Sequence, residues 1–139
     1  KDNIVIESTA HCMAKVEDDS MANAPQNATD IRRFLKEVPY WTAEKHGAKY
    51  RFMYQVYTSP RYRKYGTEFF RGVTKRYTEY AKSLEPKLGI PWQVIRPLIY
   101  VFVRACVHYA LFEDEEYLKP QIALIEEILP MIAEKYAAK

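Results

Sequence analysis

Hydrophobic residues recur at three- and four-residue intervals along almost the whole chain, which is the period of an α-helix. Pro, Gly and polar residues divide this pattern into about six helical segments. The predicted helices cover about residues 2–18, 27–38, 41–57, 59–85, 90–112 and 114–136. Gly is scarce, with 4 residues, and no Asn-Gly or Asp-Gly pair suggests a hairpin. We therefore expect an all-α bundle of about six helices, forming one domain over residues 1–139.

Capping residues and prolines set the expected helix ends. Asn27 is the expected N-cap of the second helix, and Pro39 is expected to end that helix. Pro86 and Gly89 are expected to end the fourth helix, and Asp114 is expected to cap the last one. Pro97 and Pro130 fall inside the last two helices, where each should remove one backbone hydrogen bond and bend the axis.

The last two predicted helices carry more apolar surface than one chain needs to bury. The final helix has one complete apolar stripe and a second apolar face beside it, and the helix before it is apolar around most of its circumference. Two such helices favour pairing with a second copy into a four-helix interface across a two-fold axis. The residues expected at this homodimer interface are Val103, Val107, Tyr117, Leu124, Ile128 and Met131. The alternative is that both helices form the centre of a monomeric bundle.

Polar residues interrupt the apolar surface of the fifth predicted helix along one narrow face. They are Gln93, Arg96, Tyr100, Arg104 and His108. A buried guanidinium needs an acceptor or an anion, because burial of an unpaired charge is costly. One interpretation is that the two arginines reach solvent or pair with carboxylates such as Glu68 and Glu79.

The other interpretation is a small-molecule pocket, because polar and aromatic side chains that converge in an apolar bundle are typical of such sites. The residues expected to line it are Tyr50, Met53, Tyr54, Tyr57, Phe69, Phe70, Arg96, Tyr100, Arg104 and His108. Each aromatic side chain, taken singly, also fits ordinary core packing. If the arginines face the cavity, they suggest an anionic or carboxylate-bearing ligand with a mostly apolar body.

Charge and cysteine content narrow the possible partners. The net charge is +3, and the 21 basic residues alternate with 18 acidic ones instead of forming a block, which argues against a nucleic-acid surface. Cys12 and Cys106 lie far apart with no CxxC spacing, so two reduced thiols in a cytoplasmic protein are expected, with a single disulfide as the alternative. No apolar run approaches the roughly 20 residues of a membrane helix, so a soluble protein is expected.

Catalytic and metal-binding patterns are weak. His11, Cys12, Cys106 and His108 could be imagined as zinc ligands, but residues two apart on a helix, such as Cys106 and His108, point about 200° apart. The sequence has no HExxH, GxSxG or P-loop pattern. We therefore expect no enzyme, no cofactor and no metal site. A helical enzyme would have to use Arg96 and His108, the one pair of titratable groups that merits inspection.

Three segments resemble the C-terminal domain of the tetracycline-repressor (TetR) family of transcriptional regulators. Residues 1–5, Lys-Asp-Asn-Ile-Val, resemble the junction between the family's recognition helix and its first core helix. Residues 57–66, followed by Phe69 and Phe70, are similar to the start of its long central helix. Residues 104–125 resemble its penultimate and last helices. The resemblance spans the whole chain.

The resemblance implies an effector pocket in each subunit, a dimer built on the last two helices, and release of operator DNA on ligand binding. Because the chain begins at the junction segment without a Met, we expect it to be a piece of a longer protein whose helix-turn-helix head is missing here. DNA binding would then belong to the intact protein. Ligand binding would control it through a population shift that alters the tilt of the first helix. The alternative is a helical protein-interaction or structural bundle without a small-molecule site.

Overall fold

The computed structural model describes residues 1–137, which form five α-helices and no strand. The helices are α1 (Asp2–Ala22), α2 (Ala28–Tyr57), α3 (Arg63–Leu88), α4 (Trp92–Phe112) and α5 (Glu115–Ala137). The expected all-α class is confirmed for these residues. The number of helices is five and not about six, because the second and third predicted segments are one helix.

That helix, α2, runs through Pro39 without ending, so the predicted break was wrong. A proline inside a helix removes one backbone hydrogen bond and strains the turn before it. Pro39 is also among the most deeply buried side chains of the chain, at less than 2% exposed. Burial of the ring in the tertiary structure therefore outweighs the local cost, which sequence pattern alone does not measure.

Three other helix ends confirm the capping signals, whereas α1 extends to Ala22 and α3 runs through Pro86 to Leu88, beyond their predicted ends. The Asn27 side chain accepts a hydrogen bond of 3.0 Å from the backbone N–H of Asp30 at the start of α2. Asp114 accepts one of 3.3 Å from the backbone of Tyr117 at the start of α5. Gly89 ends α3 in the left-handed region, at φ 70°, where glycine is favoured. Capping chemistry is local, so it was predictable from the sequence.

The start of α3 lies four residues later than Ser59, because a turn precedes it. This turn is attached to the first residues of α1. Arg61 Nη2 lies 2.7 Å from Oδ1 of Asp2 and donates a hydrogen bond of 2.9 Å to Oδ2, and the Tyr62 hydroxyl donates one of 3.0 Å to Oδ1. The hydrogen bonds from Arg61 and Tyr62 lower the pKa of Asp2. The N-terminal end of α1 is thereby tied to α3.

Helix α4 lies at the centre of the bundle, in contact with α2, α3 and α5. Its buried side chains are Ile95, Phe102, Ala105, Cys106, Val107 and Ala110. All of them except Ala105 belong to three apolar clusters, which α4 forms with α1 and α2, with α2 and α5, and with α3 and α5. Apolar residues on most of its circumference are thus explained largely by burial within one chain.

Helix α4 is also the one helix among residues 1–137 that is long and apolar enough to span a membrane by length and composition. The core helix of a soluble protein passes the same test. This finding leaves the expectation of a soluble, cytoplasmic protein as a prediction.

Two glycines of α3 give a matched test of its packing. A Cβ at Gly66 would lie 2.8 Å from Cβ of Tyr57, whereas a Cβ at Gly72 would meet nothing within 4 Å. We expect Gly66→Ala to lower the free energy of unfolding by about 1–3 kcal/mol through overpacking. Gly72→Ala should raise it by about 0.5–1 kcal/mol, because alanine favours the helix. Urea unfolding of both variants measures these changes, and equal effects would contradict the packing of α3 on Tyr57.

Candidate ligand-binding site

A cavity of about 240 Å³ lies between α1, α2, α3 and α4. This volume is close to the lower end of the range of about 300–1,000 Å³ that is usual for small-molecule sites. The residues that line it are Met13, Glu17, Tyr50, Met53, Tyr54, Phe69, Phe70, Val73, Thr74, Tyr77, Tyr100, Val103, Arg104 and Val107. We call it the Glu17 cavity, after its one carboxylate.

Seven of the ten residues predicted to bind a ligand line this cavity. They are Tyr50, Met53, Tyr54, Phe69, Phe70, Tyr100 and Arg104. They come from α2, α3 and α4, so side chains up to about 50 residues apart in sequence are brought to one space. The polar face of α4 was expected to meet the aromatic stripes of α2 and α3. These seven side chains do meet around this cavity.

The remaining three predicted residues lie elsewhere. Tyr57 is buried and lines a separate surface recess with Gly66. Arg96 lines none of the cavities described here and donates a hydrogen bond of 2.9 Å to the Thr78 hydroxyl. The His108 ring stacks on Tyr117 of α5, with centroids 3.9 Å apart. These side chains are therefore not part of the Glu17 cavity.

The two arginines of α4 are held by hydroxyl groups and aromatic rings. Arg104 donates a hydrogen bond of 2.9 Å to the Tyr54 hydroxyl at an exposed position. Arg96 lies over the rings of Trp92 and Tyr100, at 5.2 Å and 5.9 Å from their centroids. Within residues 1–137 neither guanidinium has a carboxylate within salt-bridge distance. Pairing with Glu68 or Glu79 is therefore absent from the described structure.

Glu17 is a candidate site residue that the sequence did not point to. Its side chain is only 7% exposed, and one carboxylate oxygen accepts a hydrogen bond of 3.2 Å from the Tyr77 hydroxyl. Burial raises the pKa of the carboxyl group, although the hydrogen bond from Tyr77 opposes the shift. The helical spacing could have predicted that Glu17 is buried, because it follows the buried residues Thr9 and Met13 at four-residue intervals on α1.

The buried environment of Glu17 also changes the pKa values of the neighbouring tyrosines. Burial, followed by the charge of Glu17, raises the pKa values of Tyr50 and Tyr77 well above the usual range. Both hydroxyls therefore stay protonated, and each remains a hydrogen-bond donor at neutral pH. The closed end of the cavity is a carboxylate surrounded by neutral aromatic side chains.

Two polar atoms near this region are buried without a hydrogen-bond partner among the described residues: the Tyr100 hydroxyl and Nε of Arg96. Such atoms are uncommon in folded proteins, and each needs a water molecule, a ligand or some other explanation. Tyr100 lines the Glu17 cavity, so its free hydroxyl lies at the boundary of that space. This observation favours a polar occupant at that edge of the cavity.

A second cavity, of about 150 Å³, adjoins the first and is lined mainly by apolar side chains. The two cavities share Tyr50, Tyr77, Val103 and Val107 as walls. Cys106 lines the second cavity, and burial raises the pKa of its thiol well above the ordinary value. The thiol is therefore protonated and unreactive. This space offers no charged group and suits an apolar substituent.

The C-terminal part of α1 is fixed to α2 by a polar cluster around Asp19. Its carboxylate oxygen lies 2.7 Å from Nε2 of His46 and 3.1 Å from Nζ of Lys45. The hydrogen bond from His46 is the main cause that lowers the pKa of Asp19. His46 is 3% exposed, and its Nδ1 has no hydrogen-bond partner among the described residues. Together with Asp2, this cluster anchors α1 near both of its ends.

The residues expected at a dimer interface fall into two groups. Tyr117, Leu124 and Met131 of α5 are exposed, and Ile128 is half-buried. Val103 and Val107 behave differently. Val107 is buried and Val103 is half-buried, and both line the two cavities. These two valines belong to the interior of the chain and not to the exposed surface of α5.

Metal ligands do not come together in the described residues: no group of three or more His, Cys, Asp or Glu side chains could hold an ion. His11 is exposed, and Cys12 and Cys106 are both free thiols. The alternative disulfide between the two cysteines is therefore not formed in this structure.

Comparison of the chain with family models, with curated proteins and with solved structures gives no match. The likeness to TetR-family regulators therefore rests on the sequence segments alone.

The burial of Glu17 predicts an unusual dependence of stability on pH. Because its pKa is raised in the folded state, the unfolded chain loses this proton first as the pH rises above 4.5. The contribution of Glu17 to the free energy of unfolding is then favourable at low pH and is lost as the pH rises through the folded pKa. We expect Glu17→Gln to be more stable than the wild type at pH 8, with the difference shrinking toward pH 4. Urea unfolding across this pH range measures the sign, and a variant less stable at pH 8 would contradict the assignment.

Proposed function

We propose that this chain is the effector-sensing and dimerisation domain of a TetR-like transcriptional regulator, which binds a small molecule and controls DNA binding by a head joined to α1. The observation that carries the proposal is the Glu17 cavity, where residues of four helices meet around a space with a polar end. Small-molecule sites are concave, mostly apolar and equipped with a few polar groups. This cavity has those properties.

The attachment of α1 supports a route from the cavity to such a head. Asp2 and Asp19 hold α1 to α3 and α2 through exposed or half-exposed ion pairs, which are weak individually. Glu17 lies between these anchors and faces the cavity. A ligand that contacts Glu17 would therefore act on α1 directly and would favour one tilt of that helix over another.

The exposed apolar side chains of α4 and α5 support dimerisation. They include Val101, Phe112, Tyr117, Leu124 and Met131. Large apolar side chains on a surface mark places where other molecules bind. The same observation favours the second candidate function, a helical protein-interaction bundle, in which a different protein would cover these side chains.

Native mass spectrometry of the chain tests both parts of the proposal. The wild type, with a chain mass of 16.4 kDa, should appear as a dimer with a small molecule retained from expression. Leu124→Glu, which places a charge at a 57% exposed apolar position, should give a monomer. Val73→Trp, which fills the Glu17 cavity, should give a dimer without the small molecule.

The control for the charge substitution is Ile4→Glu, at an exposed apolar residue of α1 far from α5 in sequence, which should remain dimeric. A monomeric wild type would contradict the dimer and favour the interaction bundle. Retention of the same small molecule by Val73→Trp, with the variant shown to be folded by circular dichroism, would place the ligand outside the Glu17 cavity.

A further inference from the structure

The ionisable group in the buried part of the Glu17 cavity is a carboxyl, whereas the sequence suggested an anionic ligand held by arginines. Arg96 does not line this cavity, and Arg104 lies at an exposed position and is bonded to Tyr54. Glu17 is the buried charge-bearing group, and no Lys or Arg lies within salt-bridge distance of it among the described residues. A buried carboxylate without a cation is destabilising unless a bound group compensates it.

The other walls of the cavity are suited to a positive charge. Aromatic side chains from three helices surround the space beside Glu17, namely Tyr50, Tyr54, Phe69, Phe70, Tyr77 and Tyr100. Aromatic rings attract cations through the negative potential of their faces, and cages of such rings bind quaternary ammonium groups. A carboxylate among aromatic rings therefore recognises a cation with an apolar body.

We infer that the Glu17 cavity binds an organic cation, a protonated amine or a quaternary ammonium compound, with its positive group beside Glu17 and its apolar part among the aromatic walls. This inference rests on the proposed function, since it names the class of effector for the same site. The adjoining apolar cavity would receive any larger apolar substituent. The mouth near Arg104 would favour a neutral or negative group on the other end of the ligand.

A pair of compounds that differ only in charge tests the inference. The probes are benzyltrimethylammonium and neopentylbenzene, in which carbon replaces the charged nitrogen. Ligand-observed NMR titration of the full chain at pH 8 should give affinity at least about tenfold higher for the cation. Glu17→Gln should reduce the affinity for the cation by about tenfold or more and leave that for neopentylbenzene unchanged. Glu7→Gln, an exposed position on the same helix with the same change of charge, should bind both compounds as the wild type does.

The pH dependence of binding to the wild type supplies a second measurement, and the Glu17→Gln variant then identifies the group that titrates. The charged and titratable groups around Glu17 are Asp18 on α1, Tyr50 and Tyr54 on α2, Arg76 and Tyr77 on α3, and Tyr100 and Arg104 on α4. The affinity for benzyltrimethylammonium should fall as the pH is lowered through the raised pKa of Glu17, because the carboxylate is then protonated. Neopentylbenzene should show no such change. Disappearance of the pH dependence in Glu17→Gln would assign it to Glu17 and not to Asp18.

Three results are possible, and they separate the two proposals. Preference for the cation that depends on Glu17 supports the inference. Equal binding of both compounds, or a cation affinity independent of Glu17 and pH, would overturn the inference and leave the cavity as a ligand site. Binding of neither compound, with the cation at millimolar concentration and neopentylbenzene at its solubility limit, would overturn the inference and also remove the support that the cavity gives to effector sensing.

Discussion

The burial of α4 is the constraint on which the rest of this structure depends. A helix with apolar residues around most of its circumference must be covered on several sides. Helices α2, α3 and α5 do this, and three apolar clusters result, each with α4 as a member. The continuation of α2 through Pro39 belongs to the same constraint, since one long helix covers more of α4 than two short ones separated by a break.

Incomplete filling of the space around α4 creates the candidate site. Helix α4 contributes Val103 and Val107 to the walls of both cavities, while aromatic side chains of α2 and α3 form much of the remaining wall of the Glu17 cavity. Bulky aromatic rings on neighbouring helices pack with gaps unless small side chains fill them. Glu17 then gives one of these gaps a polar end, at the cost of burying a carboxyl group. A group that lowers stability at neutral pH and faces a cavity is more readily explained by function than by folding.

A structural feature could be predicted from the sequence when neighbouring residues cause it, and could not when distant packing causes it. Caps at Asn27 and Asp114 and the stop at Gly89 depend on neighbouring residues, so the sequence indicated them correctly. The passage of α2 through Pro39 depends on distant packing, so the local rule failed there.

The candidate site divides in the same way. Seven of its residues were predictable because helical periodicity places them on inward faces. Tyr57, Arg96 and His108 share those faces but lie at other heights along the bundle, which periodicity does not specify. Glu17 was missed because charged residues are normally expected on the surface, although its spacing from Met13 placed it inside.

A space with the buried Glu17 carboxyl in its wall lies between α1, α2, α3 and α4. A crystal structure of the chain at atomic resolution measures this most directly. We expect ordered density for water or a small molecule beside the Glu17 carboxyl group, which remains hydrogen-bonded to Tyr77. A structure in which the aromatic rings close the space and the Glu17 side chain turns into solvent would contradict it.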